Sequence, residues 1–252
     1  MNTNVFTIRP IAHVQSDYNE KFGIPRQSGL VPELTSRVVI DPAFRNVDAV
    51  RGLTAYSHIW LIWGFSETAI DMTEEPVRWS PTVRPPRLGG TVRKGVWATR
   101  SPYRPNSLGL SSVRLLGVEI GGRPLEEHAG SGETNEEIAL LVAGADLMNG
   151  TPVYDIKPYI YPDCHPEANT GFAAARDAGK VHVDFPEDLL ARIPEDKCAG
   201  LIRMLELDPR GAYEKQPGYN YGLSFAEFDI KFTVKGDVLM VTDVVRTGTS
   251  AD

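Results

Sequence analysis

The 252-residue sequence predicts a mainly β fold carrying a small α+β unit at its C-terminal end. Three observations point there. The chain holds 23 glycines and 19 prolines, about one residue in six, against about one in eight in an average protein; this disfavours a helical bundle and favours short strands joined by turns. Short apolar or alternating runs recur between residues 5 and 156 with few stretches of helical period. After Pro166 the pattern changes to a helical periodicity followed by two alternating runs around Lys235-Gly236-Asp237.

Each element follows from its local pattern. Val5–Val14 reads as a strand, with Pro10 placing it at an edge or bulge. Residues 17–34 contain Gly23, Pro25, Gly29 and Pro32 and are expected to form a long irregular loop. Val38–Ile40 is a short strand, and Ser57–Phe65 is the strongest strand in the chain, too apolar for a fully solvated face. A second long loop, residues 66–91, precedes strands at Thr91–Ala98 and Ser111–Ile120, which flank the turn-rich segment Ser101–Gly109. Ile138–Ala143 and Pro152–Ile156 add two more. In the tail, Leu189, Leu190, Ile193, Leu201, Ile202, Met204 and Leu205 keep a helical period that Pro194 interrupts. Phe225–Val234 and Val238–Val245 then read as a strand pair. The expected division is residues 1–165 and residues 166–252.

Several function classes are disfavoured. No apolar run approaches the roughly 20 residues of a membrane span. The first residues lack a basic segment followed by an apolar one, so a soluble, cytoplasmic protein is expected. Two cysteines, Cys164 and Cys198, are too few for a disulfide framework. The five histidines are scattered without metal-ligand spacing, so no metal is expected. No Gly-x-Gly-x-x-Gly follows a strand, which argues against a dinucleotide fold or a Rossmann-type methyltransferase, and phosphate-loop and nucleophile-elbow patterns are missing too.

The net charge of −7 hides an asymmetry. Between Pro76 and Val118 stand eight basic residues (Arg78, Arg84, Arg87, Arg93, Lys94, Arg100, Arg104, Arg114) and no acid, which leaves 18 basic against 33 acidic residues elsewhere. A basic segment inside an acidic chain marks an anion site. Its Arg-Pro and Pro-Arg steps stiffen the backbone, and Trp79, Trp97 and Tyr103 offer stacking faces beside the charges. That combination suits recognition of phosphate plus base, or of an adenine-containing cofactor. Two other clusters stand out. Phe22–Leu30 presents Arg26 and Gln27 on a loop shaped by Gly and Pro, equally consistent with a solvated connector. Asp146–Tyr159 contains an Asn149-Gly150 turn and an Asp155–Lys157 pair that is as readily structural as functional. His58 sits among strand-forming residues, where a hydrogen-bonded core histidine is the commoner role.

These clusters, in this order, resemble the TsaA-like or TrmO (YaeB) family of tRNA N6-threonylcarbamoyladenosine methyltransferases. The matching segments are Lys21-Phe22 with Pro25-Arg26-Gln27, Asp48–Leu53, Ser57–Trp60, Arg84–Gly90, Ala98–Ser101 with Arg104-Pro105-Asn106, and Gly150–Val153 with Asp155–Tyr159. Asp208-Pro209-Arg210, Tyr213 and Phe228–Val234 extend the resemblance through the tail. Two departures are local: Asn149-Gly150 where Asp-Gly is common, and Asn106-Ser107-Leu108-Gly109 where Asn-Pro-Ile-Gly is common.

The resemblance implies a non-Rossmann β-barrel methyltransferase, a homodimer using S-adenosyl-L-methionine, that adds an N6-methyl to threonylcarbamoylated adenosine beside the anticodon, chiefly in tRNA(Thr). Carried onto this sequence, cofactor contacts are expected from Pro25, Arg26, Gln27, His58, Ile59, Arg100, Leu110, Asp146, Leu147, Met148 and Asn149. Substrate contacts are expected from Arg84, Arg87, Arg104, Asn106, Lys157 and Tyr159, with the C-terminal unit as a further tRNA contact. Methyl transfer from a sulfonium needs an in-line approach and no protein nucleophile, so positioning dominates. The acceptor nitrogen lies beside a carbonyl, so a weak base suffices; His58 and Asp155 are the candidates. Two alternatives stay open: a non-catalytic RNA- or nucleotide-binding barrel, and a methyltransferase for another small acceptor.

Overall fold

A computed structural model describes residues 7–65, 79–85, 88, 90–171, 180–210 and 218–247 of the chain. In chain order the first unit contains β1 (Ala12–Gln15), β2 (Thr35–Ile40), the single-turn helix α1 (Val47–Val50) and β3 (His58–Gly64). It continues with β4 (Thr82–Val83), β5 (Lys94–Gly95), β6 (Leu108–Ile120), β7 (Arg123–Pro124), β8 (Ile138–Ala143) and β9 (Pro152–Pro158). The strand order β3-β9-β1-β2-β8-β6 is completed by a second pairing of β3 with β6, so six antiparallel strands close into a barrel.

Alternation along the strands fills the interior. Ile59, Leu61 and Trp63 of β3, Val38 and Ile40 of β2, and Val113, Leu115, Val118 and Ile120 of β6 are buried in one cluster. The inward phase of β6 changes at a bulge: Leu115 pairs with Val142 and Gly117 with Leu141, so Leu116 is an extra residue and stands exposed.

The second unit has β10 (His182–Asp184), α2 (Glu187–Leu190), α3 (Glu195–Glu206), β11 (Tyr221–Phe225), β12 (Phe228–Lys235) and β13 (Val238–Arg246). Its sheet runs β10-β13-β12-β11, with β10 parallel to β13. Leu201, Met204 and Leu205 of α3 pack with Leu223, Phe225, Ile230 and Phe232 of the sheet. Tyr18, Val31 and Leu34 from the N-terminal segment belong to this second core. Gly200 lets the helix approach Leu34, because a β-carbon there would overlap that side chain.

Several expected elements differ. Residues 17–34 are irregular as expected, yet they are anchored by buried apolar side chains. The strand expected at Val5–Val14 begins only at Ala12, after Pro10, and residues 5 and 6 lie outside the described ones. Thr91–Ala98 is not a continuous strand. Only Lys94–Gly95 pairs, with Thr82–Val83, and a 3-10 turn takes over at Val96–Ala98; Val96 is buried but Val92 is exposed, so no continuous apolar face exists to hold a strand. Phe225–Val234 is divided by a tight turn at Ala226, whose φ of 49° reverses the chain between β11 and β12. Pro194 separates α2 from α3 as expected.

The tail is pinned by a buried ion pair. Arg210 Nε donates to Asp208 Oδ1 at 2.7 Å and Nη2 to Oδ2 at 2.9 Å, while the guanidinium lies 5.9 Å from the centre of the Tyr221 ring. Removing one partner strands a charge in a desolvated place. Asp208→Ala is expected to lower unfolding free energy by about 3 kcal/mol, measured by urea denaturation; a change below about 1 kcal/mol would show that Arg210 finds solvent instead.

Candidate functional site

A cavity of about 580 Å³ opens at one end of the barrel. Trp63, Gly64 and Phe65 at the end of β3 and Leu108, Gly109 and Leu110 at the start of β6 line it. Three connecting segments complete the wall, with Ile24–Gln27, Arg100 to Arg104, and Asp146–Met148. Glycine makes the strand ends fit. Trp63 pairs directly with Gly109, and any β-carbon at Gly109 would overlap the indole. Gly64 gives the same clearance to the Tyr154 ring, which rises from a bulge where Ile62 pairs with Asp155 and Trp63 with Val153.

Backbone bonds hold the connecting segments. The Gly29 N–H donates to the Gly144 carbonyl at 2.8 Å, tying the first loop to the end of β8. Arg104 gathers the loop before β6, donating to the carbonyls of Thr99 at 2.6 Å, Ser101 at 3.1 Å and Val96 at 3.4 Å. Its guanidinium therefore organises the loop at the cavity wall.

The polar wiring centres on Asp146. The Trp63 indole N–H donates to Ser111 Oγ at 3.0 Å, and the Ser111 hydroxyl donates to Asp146 Oδ1 at 2.6 Å. Burial pushes the Asp146 carboxyl above its ordinary value, opposed by the Ser111 hydroxyl, its own backbone N–H, the Arg100 charge and the Ser28 N–H. Arg100 Nη1 donates to Gln27 Oε1 at 2.5 Å, and the Gln27 amide donates to the Arg26 carbonyl. Lys21, Arg26, Arg100 and Arg104 line the cavity with this one carboxylate among the described lining residues. The rest of the wall is largely apolar. Such a site suits a ligand with an anionic end and a flat or apolar body.

The structure brings Pro25, Arg26, Gln27, Arg100, Leu110, Asp146, Leu147 and Met148 together around the cavity, and Arg104 with them. Other expected site residues stand elsewhere. His58 lies at the opposite end of β3, about 20 Å along the strand from Gly64 at the usual rise per residue. Its exposed ring meets Ser57 Oγ at 3.0 Å and the Tyr159 ring, so it is not a core histidine. Ile59 faces the barrel core and is fully buried. Asp155 pairs with Lys157 at 3.0 Å, on the barrel's outer side. Tyr159 packs against Trp60, whose indole N–H donates to Asp163 at 2.9 Å. That bond holds the Asp163 carboxyl below its ordinary value. Asn149 accepts from the Ser16 N–H at 3.3 Å and is not among the lining residues; neither is the exposed Asn106. Arg84 is exposed beside the β4–β5 pair, and Arg87 lies outside the described residues.

Lys21, Trp63, Phe65, Leu108 and Ser111 were not anticipated as site residues. Ser111 carries a readable signal: it is a polar residue in the inward phase of β6, in step with Val113 and Leu115. Trp63 carries none, because it shares the core phase of Ile59 and Leu61 and reaches the cavity only through its place at the strand end.

Comparison with known proteins places the chain among RNA-modifying enzymes. Residues 13–164 match the family model described as tRNA-methyltransferase O N-terminal domain, and residues 179–247 match the TrmO C-terminal domain. A tRNA (adenine(37)-N6)-methyltransferase of Escherichia coli is 35% identical over 91% of this chain and 93% of its own length. A protein of Pseudomonas aeruginosa named putative S-adenosylmethionine-dependent methyltransferase RcsF is 36% identical over 94% of this chain and 97% of its own. The crystal structure of TrmO from Pseudomonas aeruginosa superimposes with a TM-score of 0.68 at 28% identity, covering 96% of this chain and 98% of that one.

Two outcomes are expected from the wiring. Gly109→Ala should displace the Trp63 indole and break its bond to Ser111, lowering stability by about 1–3 kcal/mol and altering tryptophan fluorescence; an unchanged spectrum would refute the close approach. Asp146 binds its proton more tightly folded than unfolded, so it makes stability fall as pH rises from the ordinary carboxylate range through its raised value. Asp146→Asn should therefore remove that decline and leave the protein at least as stable near neutrality, measured by urea midpoints from about pH 4 to about pH 8.

Proposed function

The chain belongs to the tRNA-methyltransferase O family, and from that premise we propose that the barrel-end cavity is its methyl-transfer site, acting on N6-threonylcarbamoyladenosine next to the anticodon of tRNA(Thr). The protein is an S-adenosylmethionine-dependent tRNA methyltransferase. The observation that carries the site proposal is the convergence of Pro25–Gln27, Arg100 and Asp146–Met148, far apart in sequence, on one cavity.

The residues present fit the cofactor. The cavity has the size of a small-molecule site. Arg26 and Arg100 would take its carboxylate, Gln27 its base edge, and Leu110, Leu147 and Met148 its apolar faces. When bound, S-adenosylmethionine supplies an electrophilic methyl on a sulfonium. The chain's own contribution is to hold two reactants in line and to keep water away from them.

The charge balance at the cavity supports an anionic acceptor. Four cations line it against one carboxylate, more than the carboxylate of one cofactor needs. The threonyl carboxylate of the modified base and the tRNA phosphates suit the net positive charge of this wall. Exposed aromatic rings stand on the same basic segment: Trp97 is 76% exposed, with its ring 5.4 Å from that of Trp79, and Tyr103 reaches the cavity. Such faces stack unpaired bases, and Arg84, Arg93 and Lys94 beside them suit the backbone phosphates. The functional unit is proposed to be a homodimer working in the cytoplasm; Leu116, exposed on β6 away from the cavity lining, supports a partner surface. No helix among the described residues is long and apolar enough to cross a membrane.

The test is transfer of labelled methyl to tRNA(Thr) with and without the threonylcarbamoyl group. Transfer only to the modified tRNA is expected, and equal transfer to both would overturn the substrate assignment. Arg26→Ala should weaken cofactor binding by roughly tenfold, the loss of one charge-assisted contact; unchanged affinity in calorimetry would remove that loop from the cofactor site. Arg93→Ala with Lys94→Ala should instead weaken tRNA binding and lower its salt slope by about 2, with cofactor affinity preserved.

A further inference from the structure

Methylation at N6 has to dispose of a proton. The acceptor nitrogen gains a bond to the methyl carbon, the electron pair of the broken sulfur–carbon bond stays on sulfur, and the N6 hydrogen leaves as a proton that a base must take. The two expected bases, His58 and Asp155, are absent from the cavity wall. Among the described residues that line the cavity, Asp146 is the sole carboxylate and none is a histidine. We propose that Asp146, which the resemblance assigns to cofactor contact, instead accepts the N6 proton, an inference that rests on the function proposed above.

The geometry suits that task. Asp146 Oδ1 takes the Ser111 hydroxyl at 2.6 Å, and Ser111 is itself held by the Trp63 indole N–H at 3.0 Å. These anchors come from β3 and β6, whose register is fixed by barrel closure, so the carboxylate is aimed by a rigid wall. A carboxylate has about four lone-pair sites, and the hydrogen bonds it accepts here leave room for a proton. The groups facing it are the Ser111 hydroxyl, the Ser28 N–H, the Arg100 guanidinium and, within its electrostatic reach, the buried Tyr18 hydroxyl. Burial makes the group a stronger base than an exposed aspartate. The carbonyl attached to N6 makes the departing proton more acidic than that of plain adenosine, so donor and acceptor move toward each other.

Asp146→Asn keeps the acceptor of the Ser111 hydrogen bond and removes the base. On tRNA bearing the threonylcarbamoyl group, kcat should fall at least about 100-fold, while the calorimetric Kd for S-adenosylmethionine changes less than about 3-fold. The wild-type rate should show one acidic limb, and Ser111→Ala should move it to higher pH, because that hydroxyl favours the ionised carboxylate; a merely structural role would not move it. A normal kcat in Asp146→Asn, or lost cofactor affinity with normal kcat at saturation, overturns the inference. Should the Asn variant melt early, the wild-type limb and its shift in Ser111→Ala decide. If the wild-type protein binds cofactor yet transfers no methyl to the modified tRNA, the proposed function falls, and this inference with it.

Discussion

Seven residue pairs between β3 and β6, from His58 opposite Arg114 to Gly64 opposite Leu108, turn an open sheet into a barrel. Without them both strands would present unpaired backbone groups at a sheet edge, a liability that closure removes. The same pairing sets Trp63 across from Gly109 and diagonal to Ser111. One register thus decides the clearance for the indole, its hydrogen bond to Ser111 and, one bond further, the position of Asp146. A slip of one residue would turn all of these groups to the other face.

The cavity depends on the barrel for its floor and on irregular segments for its walls. Those segments are long but not loose. The first is clamped by the Gly29–Gly144 backbone bond and by Tyr18, Val31 and Leu34, which are buried in the core of the second unit. The C-terminal unit therefore helps hold a loop that lines the cavity, whatever else it contacts. The segment before β6 is held from within by Arg104, which occupies carbonyls that a turn-rich chain would otherwise leave to water.

Charge is distributed with similar economy. The described members of the basic segment do not form one uniform patch. Arg100 and Arg104 turn to the cavity wall, Arg93 donates to Thr82 within the β4–β5 pair, and Arg114 lies near the opposite end of the barrel beside His58. Local placement, more than net charge, is what bears on an anionic partner.

Much was legible from residue order alone. Short apolar runs located β2, β3, β6 and β8, and alternating ones β12 and β13, to within a few residues, and Pro194 marked the break between α2 and α3. The Gly- and Pro-rich segments around Arg26, Arg100 and Asp146 stood out because polar side chains on shaped loops have no core to serve. Those signals are local, carried by neighbours a few positions apart. Strand closure, by contrast, depends on pairing between residues about fifty positions apart, which no local pattern encodes. Only the tertiary structure could therefore separate His58, at one end of β3, from Trp63, at the other, although both belong to one apolar run. It also moved Asp155 to an outer ion pair and put Asp146, about eighty positions from Trp63 in sequence, within one serine of it. The sequence by itself determined which segments are strands and which are polar loops shaped by Gly and Pro; the barrel's closure decided which of their side chains share a cavity, because strand register, a long-range property, sets which end and which face each one occupies.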